Sequence, residues 1–470
     1  MQPIEQIKKY CGEVSQQIRW KKAKPIIVRE IENHLYDQRD AYILNGDDEK
    51  TATQKAIEQM GDAVFVGQEL DKTHRPKPQW FMILLTGILM LTGLLVNYFI
   101  DITTNTYHTI IILPYILAFG VFLCCYYMDF TVLGKHAKKV YTSVLIISLI
   151  GIISGTRVNG KLTWFMGNFS VILAYLCLIF PLAFALFVYT MRNKGLGGIL
   201  LSGVAYLPFA VILFIAPTLS GLILYTISAV SVLCYAICLG WFDVNKKQGL
   251  QLVLIPTFTV TIGLAATSIF TMPYAYWRLS IFLNPERDPL GAGYQLCSIR
   301  ELLSKSVFFG KGNVPEKMGD ITSFLPNINT DYSLTYLIHQ FGFVVLFLIT
   351  LIILLFSITG IHMALKQKSV LGSLIALTIM VTFVLQSVFY ILSNLGYGLV
   401  SSPSLPFISY GNSSLIMNAA LVGFMLSVFR IGEIFKDRSF FTISKKNKRN
   451  HPLFSYEDGK LIINLNGSHS

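Results

Sequence analysis

Charge is what this chain of 470 residues has least of. Only 14% of its side chains are Asp, Glu, Lys or Arg, against about a quarter in an ordinary soluble domain. That shortage, beside 53% hydrophobic residues and a mean hydropathy of +0.57, excludes a water-soluble enzyme, a disordered chain and a nucleic-acid binder with one basic patch. It is also uneven: residues 1–78 hold 13 basic and 13 acidic side chains, while the other 392 residues hold 25 and 13. Cysteine is sparse, at seven. Cys124, Cys125, Cys177, Cys234 and Cys238 lie in apolar runs, and no neighbouring His or Cys completes a zinc tetrahedron around Cys234 and Cys238. Residues 1–20 lack the apolar core of a cleavable signal, so the first apolar segment is expected to direct insertion.

What is present is a succession of apolar stretches near the ~20 residues that cross a bilayer. They fall at about 81–100, 109–128, 140–155, 168–190, 197–216, 220–241, 249–270, 336–363, 371–393 and 413–431. Lys135, Lys138, Lys139, Arg192, Lys194, Lys246, Lys247, Lys366 and Lys368 occupy alternate loops, and the opposite loops at 101–108, 217–219 and 394–412 contain no Lys or Arg. The positive-inside rule then predicts both termini in the cytoplasm. The expected architecture is all-α and polytopic, with about ten transmembrane helices in residues 79–432 and a cytoplasmic tail from 433 to 470.

Residues 1–78 read as a small cytoplasmic helical domain. Ile4, Ile7, Cys11, Val14 and Ile18, then Ile27, Ile31, His34, Leu35 and Gln38, recur at helical spacing. Asn45-Gly46, Asp47-Asp48-Glu49 and Gly61-Asp62 are stop and restart signals. The stretch resembles the helical prefix found ahead of some Gram-positive permeases and cell-wall proteins; a solvated hairpin without a partner is the plainer reading.

Ionisable groups are nearly absent from the spans, where Asp129, Asp243, His362 and Arg430 sit at the ends. An ion-coupled transporter carries such groups along its pathway, so pump and symporter chemistry is disfavoured. Polar function is pushed to the outer face, into the loop 271–332 and the connection 394–412.

There the chain reads RLSIFLNPERDPLGAGYQ, then GKG, LPNINTDYSLTYL and LPFISYGNSS. Arg278, Phe282, Leu283, Pro285, Asp288, Pro289, Gly291, Gly293, Tyr294 and Gln295 form a first block. Gly310-Lys311-Gly312, Leu325-Pro326, Thr330-Asp331, Leu405 to Gly411 and Ser413-Ser414 form the others. In order, spacing and topology these blocks resemble the SEDS family of shape, elongation, division and sporulation proteins, which includes RodA, FtsW and SpoVE, over residues 81–431.

The resemblance implies a peptidoglycan glycosyltransferase of a Gram-positive cell membrane, polymerising lipid II on the outer leaflet with a class B penicillin-binding protein. It places the family's essential aspartate on Asp331. A sugar hydroxyl is a poor nucleophile near neutral pH, and a carboxylate can accept its proton. Arg157, Lys161, Arg278 and Lys311 are candidate cations for the pyrophosphate leaving group, with Trp164 beside the headgroup and Gln386, Ser409, Tyr410 and Ser413 as further substrate contacts. The sequence identifies no cofactor, and divalent-cation assistance stays open. Each residue also has a structural reading: Asp331 as a helix N-cap, Asp288 as a turn former, Trp164 as an interfacial anchor, and Gln386 and Asn394 as packed hydrogen-bonding groups.

The chain departs from the family pattern at several points. Ile172-Leu173-Ala174-Tyr175 stands where the family has Q-P-S-E followed by a Lys, and Pro217-Thr218-Leu219-Ser220 lacks the family's acid. Ser298-Ile299, Asn329, His339-Gln340 and Asn412 replace family residues too. The alternatives to an active polymerase are therefore a non-catalytic relative that scaffolds or regulates a penicillin-binding protein and, in third place, a lipid-linked precursor flippase.

Overall fold

A computed structural model describes residues 3–432 except 22, 105–111, 159–160, 167–168, 217, 272, 314–324, 326–327 and 399–402, together with 454–457 and 460–463. The charge-balanced N-terminal stretch forms α1 (Pro3–Gln17), α2 (Lys24–Leu44), α3 (Glu49–Met60) and α4 (Ala63–His74). Ile7, Tyr10, Cys11 and Val14 of α1, with Ile18 just beyond it, meet Ile27, Ile31 and Leu35 of α2 in a core of their own. The restart signals act as caps: Asp48 accepts from the Thr51 amide at 3.3 Å, and Asp62 from the Phe65 amide at 2.8 Å. His34 is exposed, against the expectation from spacing. The buried row of α2 runs 27, 31, 35, and position 34 lies about 60° around the helix from the middle of that row.

The apolar part of the chain forms α5 (Trp80–Thr104), α6 (Ile112–Tyr127), α7 (Thr131–Lys135), α8 (Ala137–Ser154), α9 (Phe180–Thr190), α10 (Gly195–Ile215), α11 (Leu219–Cys238) and α12 (Lys246–Thr271). There follow α13 (Pro273–Leu283), α14 (Tyr294–Ser304), α15 (Ser333–Phe341), α16 (Phe343–Leu365), α17 (Val370–Asn394) and α18 (Asn412–Ile431). Among the described residues, eight helical segments are long and apolar enough to cross a membrane. The 16-residue α6 and the more polar α12 occupy the other two expected stretches. In α12 the hydroxyls of Thr257, Thr259 and Thr267 bond back to carbonyls four residues earlier, at 2.7–2.8 Å, which satisfies them within the helix. The chain is a multi-pass membrane protein. Its centre is α17 and α18, whose apolar windows are 67% and 72% buried, against 22% for α8 and 28% for α16.

Three expectations are corrected. The stretch 168–190 crosses only from 173: Thr156–Val158, Lys161–Met166 and Phe169–Ile172 are strands β1, β2 and β3 of an antiparallel sheet, and the apolar span Leu173–Thr190 opens as a 3-10 turn at Leu173–Leu178. Asn159-Gly160 lies between β-branched and aromatic residues, which is a hairpin signal. The stretch 336–363 is divided at Gly342, whose φ of +90° ends α15 before α16 begins. The segment 271–332 is also not loop throughout, since it holds α13, the turn Pro285–Arg287 and α14. In the tail, β4 (Phe454–Glu457) pairs with β5 (Lys460–Ile463).

Candidate functional site

The site gathers at one end of α17. Asn329, Thr330 and Asp331 make a turn that leads into α15, and the N-cap position of that helix falls on Tyr332 rather than Asp331. Tyr332 makes no side-chain capping bond. The capping bond comes instead from α17. Asn394 Oδ1 accepts from Thr335 N at 3.0 Å, the bond an N-cap side chain ordinarily takes at the third helical residue. Asn394 Nδ2 donates to the Asp331 carbonyl at 3.0 Å and to Tyr390 O at 3.0 Å. One turn earlier the Tyr390 hydroxyl donates to Thr330 O at 3.2 Å and lies 2.6 Å from Ser333 Oγ. The N-cap reading of Asp331 therefore does not describe this structure.

Electrostatics mark the same place. The half-buried Tyr332 hydroxyl is pushed up to about 12, first by burial and then by the Asp331 carboxylate, and it donates to Gln295 Oε1 at 3.0 Å. Tyr390 and Tyr175 also lie within reach of the Asp331 charge. Tyr175 is one of the residues by which this chain departs from the family pattern.

The motif Leu405 to Gly411 is a buried, non-helical segment packed within the bundle. Backbone at such depth must find partners inside the protein. Gln386 Nε2 donates to Ser404 O at 2.6 Å. Asn97 Nδ2 donates to Ile408 O at 2.9 Å, and the Tyr115 hydroxyl donates to Phe407 O at 3.2 Å. Phe407 has a φ of +64°, and a Cβ at position 93 would collide with its carbonyl, so α5 can approach only through Gly93. Ser409 is buried and bonds weakly to Leu405 O at 3.4 Å. Tyr410 N donates to Asn329 O at 3.1 Å, which ties this segment to the Asp331 turn. The Tyr410 hydroxyl is raised by burial and then by Asp101. Ser413 is half-buried in the first turn of α18. Asn97 and Tyr115 were not among the expected site residues; the available signal was a lone amide in the otherwise apolar first span, where polar groups are expensive. Asn394 is the packed hydrogen-bonding group that its position in the sequence suggested.

Lys311 is held differently. Gly310 N donates to Phe341 O at 3.0 Å, Gly312 N to His339 O at 2.7 Å, and Phe343 N to Val307 O at 3.1 Å. Gly310 has a φ of +94°, and a Cβ at Gly312 would lie 2.8 Å from His339 Nδ1. These bonds strap the lysine over the junction of α15 and α16. His339 beneath it is fully buried; burial lowers its pKa, the Leu302 backbone opposes that shift, and the Lys311 charge adds to it. Arg300 of α14 donates through Nε and Nη2 to Gly396 O at 3.1 and 3.0 Å, which fixes the end of α17 from a third side.

The other expected contacts lie on separate elements. Arg157 is exposed on β1 opposite Leu162, Trp164 is half-buried on β2 opposite Val171, and Arg278 is exposed on α13. Pro326, Pro217 and the side chain of Lys161 fall outside the described residues. Asp288 Oδ2 accepts from Ala292 N at 2.8 Å, as its turn-forming reading requires. Among the described residues no three or more His, Cys, Asp or Glu side chains converge as a metal site.

Comparison with known proteins gives the family and the fold. The family model for FtsW, RodA and SpoVE, described as cell cycle protein, matches residues 76–432. The probable peptidoglycan glycosyltransferase FtsW of Pseudoalteromonas translucida is 27% identical over 399 residues, 78% of this chain and 94% of that one. Stage V sporulation protein E of Bacillus subtilis is 33% identical over 165 residues, 34% of this chain and 40% of that one. Among solved structures, a chain of a peptidoglycan synthase complex that coordinates polymerization and crosslinking superposes with a TM-score of 0.61 at 20% identity, covering 76% of this chain and 98% of that one. The rod shape determining protein RodA of Thermus thermophilus gives a TM-score of 0.50 at 17% identity, covering 76% and 97%. These two likenesses concern the fold.

Proposed function

Because the chain belongs to the FtsW, RodA and SpoVE family of cell cycle proteins, we propose that it is a peptidoglycan glycosyltransferase that polymerises lipid II, with Asp331 as its general base. The observation that carries the assignment is the backbone clamp at residues 330–335, by which Tyr390 and Asn394 fix Asp331 at the end of α17. The Asp331 carboxylate accepts the proton of the GlcNAc 4-hydroxyl as that oxygen attacks the MurNAc anomeric carbon of the growing strand. Undecaprenyl pyrophosphate leaves, and one displacement converts the α-linkage to β. Lys311, Arg278 and Arg157 offset the charge that develops on the leaving group.

The working face is extracellular and both termini are cytoplasmic, a reading that the loop charges support. Cysteines placed at the exposed positions Leu290 and Asn193 read this directly: on intact protoplasts the first reacts with an impermeant reagent and the second does not. The reverse pattern removes the polymerase reading. The prefix 1–78, with its own core, lies opposite the chemistry and regulates or localises the protein. A class B penicillin-binding protein is the partner.

The scaffold reading is favoured by one observation: Tyr175, Asn329 and Gln340 are neutral where the family pattern has charged or ionisable groups. Purified protein given labelled lipid II, with and without a class B penicillin-binding protein, separates the readings. Glycan strands support the polymerase. Stimulation of the partner's crosslinking without strand synthesis supports the scaffold.

A further inference from the structure

Asn394 does more than fill space in α17. Its side chain is completely buried and its hydrogen-bonding capacity is fully used: the oxygen accepts from Thr335 N and Thr335 Oγ1 at 3.0 and 3.1 Å, and the nitrogen donates to Asp331 O and Tyr390 O, both at 3.0 Å. The single proton of the Thr335 hydroxyl is shared between that side-chain oxygen and the nearer Asn394 main-chain carbonyl, at 2.8 Å. A saturated buried network of this kind admits one geometry, because any displacement strands a polar group in a dry interior.

The arrangement has a direction. α15 begins two residues after Asp331, and its N-cap, Tyr332, makes no side-chain capping bond. The start of that helix is therefore set from outside, by the last residue of α17. The same amide that receives the helix terminus also holds the Asp331 carbonyl. Asn394 thus grips the backbone on the C-terminal side of the Asp331 Cα and Tyr390, through the Thr330 carbonyl, on the N-terminal side, so the place of that Cα follows from α17.

We propose that Asn394 is the positioning residue for Asp331, aligning the base with the acceptor hydroxyl without touching substrate. This rests on the reading of Asp331 as general base. A displacement near 1 Å in a reacting group can cost about 100-fold in rate, so loss of the amide acts on turnover rather than on affinity.

The test is a double-mutant cycle on the full-length protein, assayed per folded molecule under conditions in which the unmutated chain polymerises lipid II. Asn394→Leu, similar in volume, removes both halves of the amide. Asn394→Asp keeps the capping acceptor but removes the donor to Asp331 O, and it carries the test should the Leu variant fail to fold. Each variant is expected to lower kcat at least tenfold while KM for lipid II stays within about twofold. Thr335→Val, which keeps its amide bond to Asn394, is expected to lower kcat less than threefold. Combined with Asp331→Asn, either Asn394 variant should lower the residual rate no further, because groups that act as a unit are not additive. Full additivity, or an effect confined to KM or to the folded fraction, overturns the positioning role and leaves the base reading standing. If Asp331→Asn alone polymerises normally, the base reading itself fails.

Discussion

The two sides of the site are built by opposite means. Around Asp331 the backbone is fixed by side chains of α17, Asn394 and Tyr390, each with a specific donor or acceptor. Around Lys311 the strap is fixed by main-chain bonds to Phe341 and His339 and by the absence of Cβ atoms at Gly310, Gly312 and Gly342. The first side is sensitive to what a side chain can donate or accept, the second to whether a side chain exists. A general base needs a fixed direction, which convergent hydrogen bonds supply. A cation facing a pyrophosphate acts largely as a point charge, and a shaped backbone suffices to present it.

That contrast is testable, and the largest effect belongs to the acid side. Asp331→Asn keeps size and removes proton affinity, so strand synthesis should fall at least ~100-fold with insertion and folding unchanged. A near-normal rate in the lipid II assay would break the comparison at its first term. On the strap side, Gly342→Ala forces a left-handed φ on an alanine and drives its Cβ into the Phe308 carbonyl. We expect a loss on the order of 1–3 kcal/mol, read as a lower melting temperature in detergent, whereas Asp331→Asn should melt normally.

A smaller effect is expected from pH. Burial and Lys311 lower the His339 pKa, so the unfolded chain binds this proton more readily than the folded one. Stability is then full above the unfolded value of about 6.5 and falls as the pH drops below it. Thermal unfolding between pH 7.5 and 5.5 should show that decline, and His339→Leu should flatten it; greater stability on acidification would contradict the sign. The smallest effect is reserved for Asp288→Asn, since Asn accepts the Ala292 amide equally well in a turn. Its polymerisation rate should match that of the unmutated chain.

Much of this was legible along the chain, for local reasons. The caps at Asp48 and Asp62 bond three residues onward, and ten apolar stretches each carry a helix. The same local logic misled at the start of 168–190, where hydropathy alone cannot separate a strand from a span. It misled again at 336–363, because nothing local shows that Gly342 takes a positive φ rather than continuing a helix. Within the site, Asp331, the Leu405–Gly411 block and the amides Gln386 and Asn394 stood out, but Asn97, Tyr115 and Tyr390, which also hold them, did not.

By itself the sequence determined the fold class, the run of the spans and the residues eligible for chemistry, because hydrophobicity and charge act over a turn or a bilayer thickness and repeat at readable periods. Only the tertiary structure decided which amide serves which carbonyl. Asn394 reaches Thr335 across 59 residues, Tyr115 reaches Phe407 across 292, and Asn97 reaches Ile408 across 311. Hydrogen bonds need about 3 Å and a direction, and at such separations both are set by helix packing, which no stretch of sequence carries alone.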